Sequence, residues 1–215
     1  MTHVFDPMPP VSVPIAGGDW RFPVRRIYCV GRNYAEHAKE MGGDASREPP
    51  FFFMKPADAI VTDGRFPYPG ISSDVHHEIE LVVAVGRGGK LFGHAVGLDM
   101  TRRDLQAAAK KAGRPWDTAK GFDHSAPVGA IVPAGEPLTR GAITLDVNGQ
   151  RRQTGDIGDM IWSVTEILDE LARYYALHAG DLIFTGTPAG VGPVARGDHL
   201  HGAIAGLASL DVEVV

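Results

Sequence analysis

The sequence predicts an α+β protein that is mostly β: one domain of sheets with a few helices packed on it. Three observations lead there. Strand-like runs greatly outnumber helical ones along the 215 residues. The two kinds do not alternate regularly, which argues against a doubly wound parallel sheet. Hydrophobic residues make up 44% of the chain and charged residues 22%, with no internal repeat or low-complexity tract, so core material is ample.

The elements follow in chain order. Residues 1–22 are rich in Pro and Gly and read as an extended arm with at most one short strand, ahead of a domain over 23–215. "VRRIYCVG" is the first convincing strand, and Cys29 within it is read as a buried structural thiol. "NYAEHAKEMG" has helical character and is closed by Gly42 and Gly43. "DASREPP" is a polar loop, and "FFFMKP" a short buried strand. "DAIVTDGRFPYPG" gives a strand and turns. "VHHEIELVVAV", residues 75–85, is a long strand, and after the turn "GRGGK" comes the strand "AVGLDM".

The helix "TRRDLQAAAKKAG" has Thr101 as its expected N-cap, Asp104 three residues on and Gly113 at its end. "AITLDVNGQRRQTG" carries a hairpin signal, with Asn148 and Gly149 at the turn. "MIWSVTEILDELARYYALHAGD" is predicted as the longest helix, because Ile161, Val164, Ile167, Leu168, Leu171 and Tyr175 keep helical spacing. "DLIFTGTP" reads as a buried strand entering a Gly-rich turn, and "GLASLDVEVV" as the closing strand.

Charge and cysteine content narrow the function. A formal net charge of −5, with no dense Lys/Arg stripe, argues against a nucleic-acid or anionic-membrane partner. One cysteine excludes an intrachain disulfide framework and a thiolate zinc site. The amino-terminal stretch lacks a basic start and a continuous apolar run, so no signal peptide is expected, and no run reaches the length of a membrane span. A cytoplasmic location is the expectation.

The strand 75–85 raises a chemical question. Alternation puts His77, Ile79, Leu81, Val83 and Val85 on one face and His76, Glu78, Glu80, Val82 and Ala84 on the other. Two glutamates one pleat apart suit either a solvated face or a divalent cation, since burying them unpaired is costly. Asp99, at the end of "AVGLDM", offers a third carboxylate or else a helix cap. Together Glu78, Glu80 and Asp99 form an all-oxygen set that suits Mg²⁺ or Mn²⁺, with Ca²⁺ as a possible substitute.

The stretches "VGRNYAEHAKEMG", "PPFFFMKP", "HHEIELVVAVG", "GLDMTRRDLQ", "WDTAKGFDHSAPVG", "GDMIWSVTEIL" and "GDLIFTGTPAGVGPV" occur in that order from residue 25 onward. In these the chain resembles the fumarylacetoacetate hydrolase family in its short single-domain form. Its lead-in "RFPVRRIYCVGRNYAEHAKEMG" followed by "REPPFFFMKPADA" is most similar to fumarylpyruvate and acylpyruvate hydrolases. The resemblance implies a mixed β-sandwich roll, a homodimer, and hydrolytic C–C cleavage of a small keto-acid substrate, fumarylpyruvate to fumarate and pyruvate in gentisate breakdown.

It also places roles on residues. The family's metal ligands fall on Glu78, Glu80 and Asp99, and its general-base pair on His37 and Glu40. Those two stand three apart in a helical segment, so the carboxylate can orient the imidazole. Lys120 matches the active-site lysine, Arg103 and Gln106 the helix contacts, and Thr187 a carboxylate-binding threonine, with Arg32 as a further substrate contact. His76 and His77 are read as supporting or packing residues. Residues 34–48 are expected to form a lid that orders over substrate.

Two rivals remain open. Oxaloacetate decarboxylation or unsaturated-diacid isomerisation would use the same site without water activation. A non-catalytic module would hold a structural metal ion.

Overall fold

The computed structural model describes residues 2–36 and 48–215. His37, Glu40 and most of the expected helix and lid fall on residues 37–47, outside the described residues. Two mixed sheets pack face to face, as the mostly-β α+β expectation requires. The larger runs, in spatial order, Val132–Pro133, Leu91–Leu98, Ile79–Val85, Asp181–Phe184, Arg26–Gly31, Phe51–Lys55. The smaller runs Gln150–Asp156, Ala142–Val147, His199–Ile204, Leu210–Val214, Arg65–Phe66. Parallel pairing joins Asp181–Phe184 to Arg26–Gly31 and Leu210–Val214 to Arg65–Phe66.

The strand Ile79–Val85 is buried along its whole length. Ile79, Leu81, Val83 and Val85 enter the core between the sheets, against residues such as Leu145 and Val212. Val82 and Ala84 enter a second core with Phe184, Cys29, Val13 and Phe22. The solvated-face alternative therefore fails: a β-branched run this continuous marks a strand covered on both sides. Val13 and Phe22 come from an antiparallel ribbon, Ser12–Pro14 with Arg21–Pro23, that closes the second core.

Several local expectations hold. The hairpin turn has Asn148 at φ 52° and Gly149 at φ 74°, the two left-handed residues that a two-residue turn between twisted strands demands. Gly113, at φ 62°, ends the helix Arg103–Ala112. Among the described residues no helix is long and apolar enough to cross a membrane.

Others are corrected. The strand over 75–85 is two, Val75–His77 and Ile79–Val85, with Glu78 between them. Thr101 is no N-cap: it lies in the short strand Thr101–Arg102 paired with His76 and Val75, and its hydroxyl donates to the Asp99 carbonyl at 3.1 Å. The helix expected over 160–181 spans only Val164–Ala172. It starts where Ser163 and Glu166 make a reciprocal capping box, and it ends where tertiary packing of Tyr175 on Tyr28 outweighs helical spacing. The strand His199–Ile204 has no counterpart in the sequence reading.

Candidate metal centre and active site

Backbone pairing assembles the carboxylates. Strands Ile79–Val85 and Leu91–Leu98 are antiparallel with Ile79 opposite Leu98, and the Asp99 amide donates to the Glu78 carbonyl at 2.8 Å. That register sets Glu78 and Glu80 beside Asp99 at one end of the hairpin. One ligand atom from each lies within 4.8 Å of the others, and all three residues are buried.

Three cations face them. Lys120, from the short helix Asp117–Lys120, donates to Glu78 Oε2 at 2.7 Å and Asp99 Oδ2 at 2.6 Å. Arg103 Nη2 donates to Glu78 Oε1 at 2.5 Å while its Nη1 donates to Gln106 Oε1 at 2.7 Å. Lys55, wholly buried at the end of its strand, sets Nζ 2.8 Å from Asp99 Oδ1 and also donates to the Met100 and Lys120 carbonyls. Burial opposes the charge on Lys120, but Asp99 and Glu78 outweigh it and hold the ammonium above its ordinary pKa. In Glu80 the surroundings favour the uncharged form: burial, then the Asp99 and Glu78 charges, push its pKa well up.

The turn after Asp181–Phe184 completes the wall. Gly186, at φ 98°, donates its amide to Glu80 Oε2 at 2.7 Å, and a Cβ there would lie 2.7 Å from Asn33 Cβ. Only glycine brings the backbone this close. Thr187 donates its hydroxyl to the Ile79 carbonyl at 2.7 Å and accepts from Gln153 Nε2 at 2.8 Å. Gln153 Oε1 in turn accepts from the Ile79 amide at 3.1 Å and lies 2.9 Å from His77 Nδ1, so His77 carries its proton on that nitrogen. His76 accepts from Arg103 Nε at Nδ1, 3.5 Å away, and sets Nε2 against Asp74 at 2.8 Å.

The cluster fits a hard divalent cation. Its donors are all carboxylate oxygens, and among the described residues Asp99 Oδ1 is buried without a hydrogen bond, facing the charge of Lys55. A small cleft opens onto Glu78, Glu80, Asp99, Arg103, Lys120 and Thr187. Gln106 and Arg32 reach the same cleft. The arrangement can chelate a metal, present ammonium and guanidinium donors to an anion, and exclude water from one wall.

The structure thus brings together Glu78, Glu80, Asp99, Lys120, Arg103, Gln106, Thr187 and Arg32, with His37 and Glu40 outside the described residues. Thr187 differs in detail, because its hydroxyl proton is committed to Ile79 and not to the cleft. Sequence reasoning missed Lys55 and Gln153. The signal for Lys55 was present: it is the single charge closing the apolar run "FFFMK".

Comparison with known proteins agrees. The profile described as "Fumarylacetoacetate (FAA) hydrolase C-terminal" matches residues 26–215. The fumarylpyruvate hydrolase of Ralstonia sp is 43% identical over 183 residues, covering 80% of this chain and 95% of that one. An oxaloacetate tautomerase of Escherichia coli K12 is 42% identical over 195 residues, covering 83% and 88%. The crystal structure of fumarylpyruvate hydrolase from Pseudomonas aeruginosa, in complex with Mn²⁺ and pyruvate, superposes with a TM-score of 0.96. It is 52% identical, covering 100% of this chain and 99% of that one.

Proposed function

Because the chain belongs to the fumarylacetoacetate hydrolase family, we propose that it is a metal-dependent acylpyruvate hydrolase that cleaves fumarylpyruvate to fumarate and pyruvate. The observation that carries this reading is the buried Glu78–Glu80–Asp99 cluster sharing one cleft with Lys120 and Arg103. These three carboxylates would hold Mg²⁺ or Mn²⁺. When bound, such an ion polarises the oxygens of an α-keto acid and offsets the charge that develops on cleavage.

The chain's own groups do the rest. His37, assisted by Glu40, is assigned removal of a proton from the attacking water, a role that rests on the sequence pattern. The water oxygen bonds to the distal acyl carbon. The bond from that carbon to the pyruvate methylene breaks, and its electron pair passes into the pyruvate enolate, which then takes up a proton. Lys120 spends two of its three donors on Glu78 and Asp99, leaving one N–H for the enolate oxygen. Arg103 keeps Glu78 in place, and Gln106 offers its amide N–H groups to substrate. Arg32 lines the same cleft.

A homodimer in the reducing cytoplasm belongs to the same reading. Exposed Val4, Phe5, Met8 and Trp20 are apolar groups that a second copy would cover. A second reading, enolisation or decarboxylation of oxaloacetate, is favoured by the tautomerase relative and needs no activated water. The deciding assay follows fumarylpyruvate and oxaloacetate with Mg²⁺ or Mn²⁺. Release of fumarate and pyruvate in equal amounts supports the hydrolase, whereas turnover of oxaloacetate alone would replace it with the second reading.

A further inference from the structure

Gln153 links Thr187 of the metal cleft to His77, and His77 lines a separate pocket with Arg151, Arg152, Gly190 and Gly192. The two hollows share no lining residue among those described. His77 is 1% exposed, and its Nδ1–H is committed to Gln153 Oε1 at 2.9 Å. The Gln153 amide cannot turn over, because its Nε2 donates to the Pro188 carbonyl at 2.9 Å while its Oε1 accepts from the Ile79 amide at 3.1 Å. The other ring nitrogen of His77, Nε2, therefore carries a lone pair. Among the described residues it accepts no hydrogen bond.

Arg152 supplies positive charge to the same pocket. Pairing shifts register between Leu145, opposite Gln153, and Asp146, opposite Arg151, so Arg152 is the extra residue of a β-bulge. Arg151 is committed to Asp146, whereas Arg152 forms no ion pair among the described residues. Its charge reaches the imidazole: burial lowers the His77 pKa against the Gln153 hydrogen bond, Arg152 adds to the lowering, and the ring stays neutral. On the far side Gly190, at φ 94°, packs so closely that a Cβ would overlap the Arg152 carbonyl. Gly192 pairs with His77, and a Cβ there would sit 3.5 Å from His77 Nε2. Glycine leaves that nitrogen open.

We infer that His77 and Arg152 form a second binding site, for a small oxyanion that also carries a hydroxyl, of which hydrogen phosphate is the simplest. The guanidinium offers N–H donors to the anionic oxygens. The buried lone pair of His77 Nε2 needs a proton donor, which a fully ionised anion lacks. Hydrogen phosphate meets both groups, and sulfate meets only the first. Among the described residues no carboxylate lines the pocket to repel the anion. The site does not depend on the reaction proposed at the metal cluster.

The test titrates Mg²⁺-loaded protein calorimetrically with sodium phosphate and with sodium sulfate, at a mildly alkaline pH where both anions are divalent. Phosphate should bind more tightly than sulfate by about tenfold to a hundredfold, the scale of one buried hydrogen bond left unmade. Arg152→Gln should weaken phosphate by about tenfold or more. Gly192→Ala should bring phosphate down to the affinity of sulfate, because its methyl group covers Nε2. Glu80→Gln, which disables the metal cluster, should leave phosphate affinity unchanged, with circular dichroism checking each fold. Equal affinity of the wild type for the two anions, or no phosphate binding at about 10 mM, would overturn the site. Loss of phosphate binding in Glu80→Gln would overturn it too, since the ion would then sit on the metal.

Discussion

Replacing Lys55 by methionine isolates the buried cation behind Asp99. The lysine side chain is 0% exposed and its partner 1%, so water cannot take over for either charge. Removing one member of a buried pair costs roughly 3–5 kcal/mol. Two features pull the value toward the lower end: Asp99 keeps Lys120 at 2.6 Å, and the Lys120 carbonyl keeps the Ser125 hydroxyl at 3.0 Å. We therefore expect about 3 kcal/mol without metal, or roughly 6–12 °C in Tm for a chain of this size. Urea unfolding of Lys55→Met, Asp99→Asn and the double variant gives the pairwise coupling. Saturating Mn²⁺ should recover part of the Lys55→Met loss, because it gives Asp99 a new counter-charge. A loss under about 1 kcal/mol, or additivity within about 0.5 kcal/mol, would refute the assignment of Lys55 as the support of Asp99.

Three further outcomes are expected. Glu80→Gln mimics the protonated carboxyl that burial favours, so metal-free Tm should stay level, while the metal-induced rise of about 2.7 kcal/mol at a hundredfold excess over Kd should vanish in thermal scans. The raised Glu80 pKa stabilises the metal-free fold below the usual carboxylate range, and that contribution is lost as pH rises through the raised value. Metal binding expels the same proton, so Mn²⁺ affinity by calorimetry should climb with pH and then level; a flat profile from about pH 5 to about pH 8 would contradict it. His37→Ala should lower fumarylpyruvate turnover by roughly 10²–10⁴ with little change in Mn²⁺ affinity, and a large loss of metal binding would reassign that histidine.

Much of the cluster was legible because its geometry is local. Glu78 and Glu80 stand one pleat apart, and Asp99 ends the next strand, so a single antiparallel register joins all three. The same local logic exposed the Asn148–Gly149 turn and the Gly113 helix end. What escaped depends on distant partners. Gln153 acts only because the second sheet brings it to Ile79 and Thr187. Strand His199–Ile204 alternates exposed and buried residues around two histidines and a glycine, a weak pattern that pairing with Ala142–Val147 makes into sheet. The helix over 160–181 was overdrawn because periodic apolar residues persist beyond the point where tertiary packing bends the chain.

The order of strands in the larger sheet bears on how the chain is made. Asp181–Phe184 lies between Arg26–Gly31 and Ile79–Val85, both of which leave the ribosome long before it does. Until then each of those earlier strands presents an open edge where its neighbour belongs, and unpaired edges invite pairing with other chains. The Gly186 amide that aims Glu80 arrives 106 residues after its acceptor. The carboxylate hairpin can form early, but the metal centre can mature only once Gly186 has been made and has left the ribosome. Nascent chains halted before about residue 187 should therefore remain protease-sensitive with Mn²⁺ present, however complete their three carboxylates.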